Sequence, residues 1–309
     1  MQRLSSLKQD LFNLLLNHRL SPLVSYSFKA YKNVNTLDRP VFVIGLNRSG
    51  TSVTTSLLSG SNELLNWSEA NEVWDPLGYP FETSKVKRPF WPIDPEGYTR
   101  SVLNSLPNYY LNSIPGIFSL YLATHSYGKK KRFLNKSPMN STRVPLLNQL
   151  FPDAYYLSIV RDPRAVVRSW IFKIIPKLQK HSGSNVYFDE AGKPKKIQIS
   201  SVTYSLDEMI TAMAKSYNYI VTKQLDDLGS LPSDSVFFMR YEDFVISPRS
   251  LIRKIDFKFD LDHRKRELDV IPASLENRNI KYAQDLSLEE ISLISTVCHP
   301  LMQKLGYEV

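Results

Sequence analysis

Arg39-Pro-Val-Phe-Val-Ile-Gly-Leu-Asn-Arg-Ser-Gly-Thr-Ser52 is the stretch of sequence that decides the fold. Within it, Val41–Ile44 is a short apolar run rich in β-branched residues, which predicts a buried strand. Gly45 and Gly50 bound a tight polar turn, and a helix is predicted from Ser49 to Gly60. This order of strand, turn and helix places backbone N–H groups and a helix N-terminus where they can hold a phosphate.

The turn has the glycine spacing of the ATP-binding loop Gly-x-x-x-x-Gly-Lys-[Ser/Thr], but not its lysine. Thr51 occupies the lysine position and Ser52 follows it, while a cation lies inside the turn at Arg48. The turn can therefore hold a phosphate, whereas its use with a triphosphate and magnesium is impaired. Because an ordinary strand-to-helix turn also contains small residues, this signal alone favours phosphate binding only modestly.

Composition indicates a globular chain with a surplus of positive charge. At 309 residues it can bury a full core, and we divide it into an N-terminal helical arm, 1–38, and one large domain, 39–309. The net charge of +9 points to anionic ligands, but the basic residues are dispersed and no nucleic-acid-binding motif is visible. The one cysteine, Cys298, excludes an internal disulfide and a cysteine-cluster metal site.

The beginning of the chain shows neither a membrane span nor a signal peptide. No apolar run approaches the ~20 residues that cross a bilayer, and polar residues interrupt the first 20. We therefore expect a cytoplasmic protein, in agreement with the lone cysteine. Leucines at helical spacing predict an amphipathic helix over residues 3–18. Packing of this helix on the domain is the more frequent outcome, and peripheral membrane contact stays open.

Strands and helices alternate along the rest of the chain. Strands are predicted at Arg132–Asn135, Ala154–Val160 and Ser235–Met239. Helices are predicted at Met139–Leu150, 163–178, Leu206–Leu228, Pro248–Phe257 and Leu288–Leu305. The polar segment His181–Gln198 predicts an exposed loop. Such alternation implies an α/β fold with a mostly parallel sheet covered by helices on both faces.

Polar residues cluster where three of the predicted strands end, at Gly45–Ser52, Arg161–Ser169 and Arg240–Asp243. Ligands of such sheets bind at the carboxyl ends of the strands. Arg161, Ser169 and the N-terminus of the helix after Asp162 could hold a second phosphate. Two phosphate sites in one crevice would fit a nucleotide with phosphates at both ends of its ribose. The alternative for Arg161 is an ion pair with Asp162 or Glu242.

These residues resemble the sulfotransferases that use 3′-phosphoadenosine 5′-phosphosulfate (PAPS). Arg48-Ser-Gly-Thr-Ser52 looks like their 5′-phosphosulfate loop, and Ser158-Ile-Val-Arg-Asp-Pro-Arg-Ala-Val-Val-Arg-Ser169 looks like their 3′-phosphate motif. Between them, Leu134-Asn-Lys-Ser-Pro138 and Leu150-Phe-Pro-Asp153 are similar to the tyrosylprotein and carbohydrate branches, and the chain also resembles bacterial members. The ending Cys298–Tyr307 looks like a common family terminus, so the resemblance covers roughly residues 39–307.

The resemblance implies a P-loop-type, three-layer fold and makes residues 39–309 a sulfotransferase domain. It implies PAPS as the donor, adenosine 3′,5′-bisphosphate (PAP) as the product and no metal requirement. The acceptor would carry a hydroxyl group, as a carbohydrate or another small or oligomeric compound does. The sulfuryl group would move by in-line displacement, with a protein group that takes the acceptor's proton.

The proton-accepting residue is the point at which this chain departs from the cytosolic branch of the family. That branch has a histidine directly after the lysine that corresponds to Lys136, whereas Ser137 follows here. The base would then be a carboxylate. In related branches it is a glutamate about twenty residues past the phosphosulfate loop, which is the distance of Glu69 from Arg48. Glu72 and Asp75 are close competitors.

The remaining site residues follow from the same comparison. Lys136 would neutralise the bridging or sulfonyl oxygen, and Arg161 with Ser169 would hold the 3′-phosphate. The residues expected to hold the 5′-phosphosulfate are Arg48, Ser49, Gly50, Thr51 and Ser52. Tyr241, at the third strand end, is expected to contact the nucleotide, and Arg278 or Lys281 to close over the 3′-phosphate.

Two other function classes stay open at this point. One is a nucleotide or nucleoside kinase with a degenerate phosphate loop, and the other is a non-catalytic nucleotide-binding protein. A further question concerns five aromatic residues, which could line an acceptor groove or pack onto the core. They are Trp67, Trp74, Tyr79, Phe81 and Trp91.

Overall fold

The structure of the protein is a computed structural model. It describes residues 37–74, 93–103, 108–127, 129, 131–178, 184–199, 201–266 and 271–308. Almost all of the predicted N-terminal arm, including residues 3–18, lies outside the described residues. So do Asp75 and the aromatic residues Tyr79, Phe81 and Trp91.

The described strands belong to two sheets. They are β1 (Val41–Ile44), β2 (Leu64–Asn66), β3 (Arg132–Lys136), β4 (Tyr155–Val160), β5 (Ser184–Phe188), β6 (Pro194–Ile199), β7 (Val202–Ser205) and β8 (Val236–Arg240). The central sheet has five strands in the order β2-β3-β1-β4-β8, and every neighbouring pair in it is parallel. The other sheet is the antiparallel β5-β6-β7.

Helices connect most of the strands. Those that the structure describes are α1 (Thr51–Leu58), α2 (Asn71–Trp74), α3 (Pro95–Leu103), α4 (Asn108–Leu111), α5 (Ile114–His125), α6 (Val144–Leu150), α7 (Pro163–Lys173), α8 (Ile175–Leu178), α9 (Leu206–Gly229), α10 (Tyr241–Ile246), α11 (Pro248–Lys258), α12 (Ile280–Asp285) and α13 (Leu288–Lys304). Short 3₁₀ turns lie at Pro138–Thr142, Ser233–Ser235 and His263–Lys265. None of the described helices is long and apolar enough to cross a membrane.

The central sheet is covered by helices on both faces, which confirms the predicted three-layer α/β fold. Alternate residues of β1 face opposite sides because successive side chains of a strand point in opposite directions. Phe42 belongs to the same core cluster as Phe118 of α5. Val43 belongs to another cluster, with Leu58 of α1 and Ile252 of α11. All four residues of β1 are buried, as its apolar run predicts.

The strand order places a topological switch point beside β1. Within the sheet, β2 and β3 lie on one side of β1, and β4 and β8 lie on the other. In open parallel sheets the crevice at such a point, outside the carboxyl ends of the strands, binds ligands. The ends of β3, β1 and β4 are therefore neighbours at the edge where Lys136, the Gly45–Gly50 turn and Arg161 lie.

The prediction of a loop over 181–198 is wrong for the residues that the structure describes, although most of their side chains are exposed, as predicted. Residues 184–199 form β5 and β6, with Val186 opposite Ile197. These two side chains are buried and join the core cluster that contains Met209 of α9. The polar composition concealed the strands because only every other side chain of such a sheet faces the core, so the outward-facing residues dominate.

Candidate active site

The predicted phosphate-binding turn Gly45–Gly50, here called the phosphate turn, lies between β1 and α1. Its backbone has unusual φ angles. Arg48 and Gly50 have positive φ angles of 71° and 91°. A Cβ atom at Gly50 would collide with the ring of Tyr241, so glycine is required both for its backbone conformation and for this close contact. The turn is thus held against the first residue of α10.

The N-terminus of α1 is suited to binding an anion. No side chain caps this helix, and its first backbone bond of the i to i−4 type runs from Thr54 N to Gly50 O. The N–H groups of the first turn of a helix have no partners within the helix and carry a partial positive charge. Ser49 and Thr51 are buried, and Ser52 is exposed.

The second predicted phosphate motif starts at the end of β4. Asp162 caps α7 by accepting a hydrogen bond from the backbone N of Arg164, and Pro163 is the first helical residue, as predicted. Arg161 is buried, with its guanidinium 4.2 Å from the centre of the Tyr241 ring. Its Nε donates to Asn279 Oδ1 at 2.8 Å, and its Nη1 donates to Arg48 O at 2.6 Å.

The two motifs are in direct contact. Arg48 Nε donates to Ser169 Oγ at 2.8 Å, while Arg161 Nη1 binds the carbonyl of Arg48. The hydroxyl of Ser169 accepts in this contact, so its own hydrogen stays available as a donor. The phosphate turn and the predicted 3′-phosphate motif therefore lie side by side at the carboxyl edge of the central sheet.

Arg48 and Arg161 lie close enough together for their positive charges to repel each other. Among the described residues, neither Arg48 nor Arg161 forms an ion pair. Partial loss of water and then repulsion from Arg278 and Arg168 lower the pKa of the Arg48 guanidinium. Burial lowers the pKa of Arg161, although Tyr241 and Glu242 act in the opposite direction. A bound anion would relieve this repulsion, so the arrangement fits phosphate groups.

A third group of residues lies at the end of β3. Lys136 Nζ is 2.6 Å from Glu69 Oε1, and Glu69 Oε2 accepts from Asn71 at 3.3 Å. Asn135 holds the segment before Glu69, since its Nδ2 donates to the carbonyls of Trp67 and Ser68 at 3.1 and 2.8 Å. The backbone of this segment thereby places a carboxylate beside the lysine.

The other predicted site residues differ in their burial and in their hydrogen-bond partners. Tyr241 is buried behind Gly50 and Arg161, and its hydroxyl donates to the carbonyl of Glu276 at 3.3 Å. Arg278 is exposed and pairs with Glu276 at 3.0 Å, and Lys281 is half-buried. Trp67 and Trp74 are buried in the core cluster of α5, which places them in the core and not in a groove. The Glu72 side chain lies outside the described residues.

Sequence reasoning missed Asn279, Glu242 and Asn135 as members of the site. Asn279 adjoins Arg278, and Asn135 adjoins Lys136, so both lie in stretches that the motifs had singled out. The sequence suggests Glu242 only as a direct ion-pair partner of Arg161. Nothing in their spacing shows that their side chains turn toward Arg161 or toward the Glu69 segment.

The profile of the sulfotransferase family matches residues 40–264 of this chain. The chain belongs to the sulfotransferase family. This agrees with the placement of both phosphate motifs at the switch point, and it makes the protein a transferase.

Curated relatives carry the same family function. The chain is 21% identical over 287 residues to protein-tyrosine sulfotransferase A of Caenorhabditis elegans. This match covers 87% of this chain and 67% of the relative. It is 30% identical over 132 residues to protein-tyrosine sulfotransferase 2 of Gallus gallus, which covers 42% of this chain and 33% of the relative. The match to the avian sulfotransferase thus spans about a third of that protein.

Solved structures agree with the fold. Sulfotransferase STF9 of Mycobacterium avium matches with a TM-score of 0.58 at 15% identity, covering 97% of this chain and 85% of that structure. The sulfotransferase domain of the curacin biosynthetic pathway matches with a TM-score of 0.52 at 15% identity, covering 89% of this chain and all of that domain. At such identities the likeness concerns the fold alone.

Proposed function

We propose that this sulfotransferase moves the sulfuryl group of PAPS to a hydroxyl group of an acceptor. The observation that carries the proposal is the contact of Arg48 Nε with Ser169 Oγ at 2.8 Å, which brings the two predicted phosphate motifs together. A nucleotide with a 5′-phosphosulfate and a 3′-phosphate presents two anionic groups of this kind. The uncapped N-terminus of α1 supports the same assignment, as does Arg161, which donates to two neutral acceptors, Asn279 Oδ1 and Arg48 O.

The chain's own residues have distinct roles in this proposal. Arg48 and the backbone N–H groups of Ser49–Ser52 hold the 5′ end, and Arg161 with Ser169 holds the 3′-phosphate. PAPS, when bound, supplies the sulfuryl group and a PAP leaving group. The sulfur–oxygen bond to the 5′-phosphate breaks as a new one forms to the acceptor oxygen.

Glu69 and Lys136 carry the proton and charge steps. The Glu69 carboxylate takes the proton from the acceptor hydroxyl. Lys136 has three N–H donors, and its contact with Glu69 occupies one, so the others remain for the oxygen on which negative charge develops. The ion pair between Lys136 and Glu69 at the end of β3 supports giving these two residues neighbouring roles.

Measurements of nucleotide affinity distinguish this function from that of a kinase. Isothermal titration should show much tighter binding of PAP than of ATP, and the PAP affinity should be the same with and without magnesium. Comparable ATP affinity or an absolute magnesium requirement would contradict the proposal. A protein that binds PAP but transfers no sulfate to any acceptor tested would instead be a non-catalytic nucleotide-binding protein.

The acceptor class is tested by transfer of labelled sulfate. We propose a carbohydrate or another small or oligomeric hydroxyl compound as the acceptor. Because the relatives named above are protein-tyrosine sulfotransferases, the panel should pair oligosaccharides with a tyrosine-containing acidic peptide. Transfer of label to the peptide alone would contradict a carbohydrate acceptor and indicate a protein acceptor.

A further inference from the structure

Arg161 lies among carboxylates and pairs with none of those described. Asp162 is the next residue, but its carboxylate is occupied by the guanidinium of Arg164, with an Nη2–Oδ2 distance of 2.7 Å. Glu242 is close enough to influence the pKa of Arg161, yet no ion pair joins the two. Other contacts hold the Glu242 carboxylate away from the buried Arg161 guanidinium.

Donors other than Arg161 occupy the Glu242 carboxylate. Its Oε1 accepts from Asp162 N at 3.0 Å and from Asn279 Nδ2 at 2.7 Å. Its Oε2 accepts from the hydroxyl of Tyr307 at 3.0 Å and lies 4.0 Å from Arg240 Nε, so that Glu242 forms an ion pair with Arg240. These bonds hold Glu242 between the start of α7, the start of α12 and the end of the chain.

Asn279 is interposed between the carboxylate and the cation. Its Oδ1 accepts from Arg161 Nε, and its Nδ2 donates to Glu242 Oε1. A guanidinium can only donate and a carboxylate can only accept, so the two neighbours dictate the orientation of the amide. A neutral amide oxygen orients Arg161 without cancelling its charge, and Arg161 Nη2 donates to no described residue.

We propose that Asn279 is a positioning and specificity-determining residue for the 3′-phosphate of the nucleotide. It separates Glu242 from Arg161, so that the full charge of the guanidinium is available to the phosphate. The inference rests on the proposed function, because it assigns the 3′-phosphate to Arg161. A side chain that cannot bridge the two groups would let Glu242 pair with Arg161 in place of the ligand.

The experiment compares the dissociation constants of PAP and adenosine 5′-monophosphate (AMP), which lacks the 3′-phosphate. Wild-type protein should prefer PAP. Asn279→Ala should reduce this preference about tenfold or more, in the range of one charge-assisted hydrogen bond, by weakening PAP binding with little effect on AMP. Asn279→Asp should reduce it as well, because its carboxylate would pair with Arg161 directly.

Two double variants distinguish positioning from a merely structural role. In an Arg161→Ala background, Asn279→Ala should change the PAP preference no further, because the residue through which it acts is gone. Glu242→Gln should restore part of the preference to Asn279→Ala, since the competing charge is removed. Equal weakening of PAP and AMP by Asn279→Ala, or additive losses with Arg161→Ala, would overturn the inference. Wild-type protein without any PAP preference would instead contradict the proposed function.

Discussion

Lys136 Nζ and Glu69 Oε1 lie 2.6 Å apart, although 67 residues separate them in the chain. The lysine side chain is 9% exposed and the glutamate side chain 36%. The cation is therefore enclosed at the end of β3, while part of the carboxylate faces solvent. In the proposed function, the acceptor hydroxyl approaches the exposed part of the Glu69 carboxylate, which leads to two predictions.

Glu69→Gln should lower sulfate transfer ~10²-fold or more and leave PAP affinity nearly unchanged. Glutamine preserves size and polarity but cannot take the acceptor's proton. Turnover measured with labelled PAPS, beside PAP titration, checks this. The matched control is Glu72→Gln, which should stay active. If Glu72→Gln were the inactive variant and Glu69→Gln the active one, the base would be Glu72.

Lys136→Ala should also depress turnover, and it should weaken PAP binding because a cation near the leaving group is lost. Since Lys136 and Glu69 form one pair, their effects on turnover should not add. The Glu69→Gln/Lys136→Ala double variant should be about as slow as the slower single variant. Fully additive losses would show that the two residues act independently.

Arg161→Ala should weaken PAP binding by about 1.5–3 kcal/mol, the range for a hydrogen bond to a charged group. Ser169→Ala should cost less, because it removes a neutral donor. Arg253→Ala, which removes an exposed arginine from α11, serves as the control and should leave PAP affinity intact. Unchanged affinity in Arg161→Ala would reassign Arg161 to a structural role.

Arg266 and Asp256 form a buried ion pair at 2.8 Å, each side chain 1% exposed. Arg266 Nη1 also donates to the carbonyls of Leu57 and Leu58 at the end of α1. Asp256→Asn should lower the free energy of unfolding by about 3–5 kcal/mol, since it leaves a buried charge unpaired. Urea denaturation measures this, with exposed Asp234→Asn as the control. A loss below about 1 kcal/mol, the range of a surface pair, would contradict it.

Cys298 should report on the packing of α13 against α9. Its Sγ lies 3.6 Å from the carbonyl of Ala214, and burial raises the pKa of Cys298 to about 12. The native thiol should react slowly with a disulfide reagent at pH 8 and quickly in urea. Fast reaction of the native protein would show that α13 opens readily.

The same thiol predicts a pH dependence of stability. Above an ordinary thiol pKa of 9.0 the unfolded chain loses the Cys298 proton, while the folded chain keeps it up to about 12. The unfolded state then binds fewer protons, so the free energy of unfolding falls as pH rises through this range. Cys298→Ala should have a shallower slope between pH 9 and 11. Equal slopes would assign the effect to other groups.

Local signals in the sequence were enough to predict the centre of the fold. The apolar run Val41–Ile44 and the glycine-bounded turn predicted β1 and the start of α1. Asp162 and Pro163 predicted the start of α7, and the resemblance of Arg48–Ser52 and Ser158–Ser169 to sulfotransferase motifs indicated the family. These features depend on residues that are neighbours in the chain, whose steric and hydrogen-bonding preferences act over one or two turns.

The tertiary structure alone decided which distant residues meet. Glu69 reaches Lys136 because β2 and β3 pair in parallel and Asn135 holds the connecting backbone. Asn279 reaches Arg161 because α12 packs on α7. The antiparallel strands β5 and β6 were also not predictable from the sequence. Few of their residues are buried, and the alternation of buried and exposed side chains becomes recognisable only when the core against which they pack is known. Sheet order and register act over many residues, and no local preference specifies them.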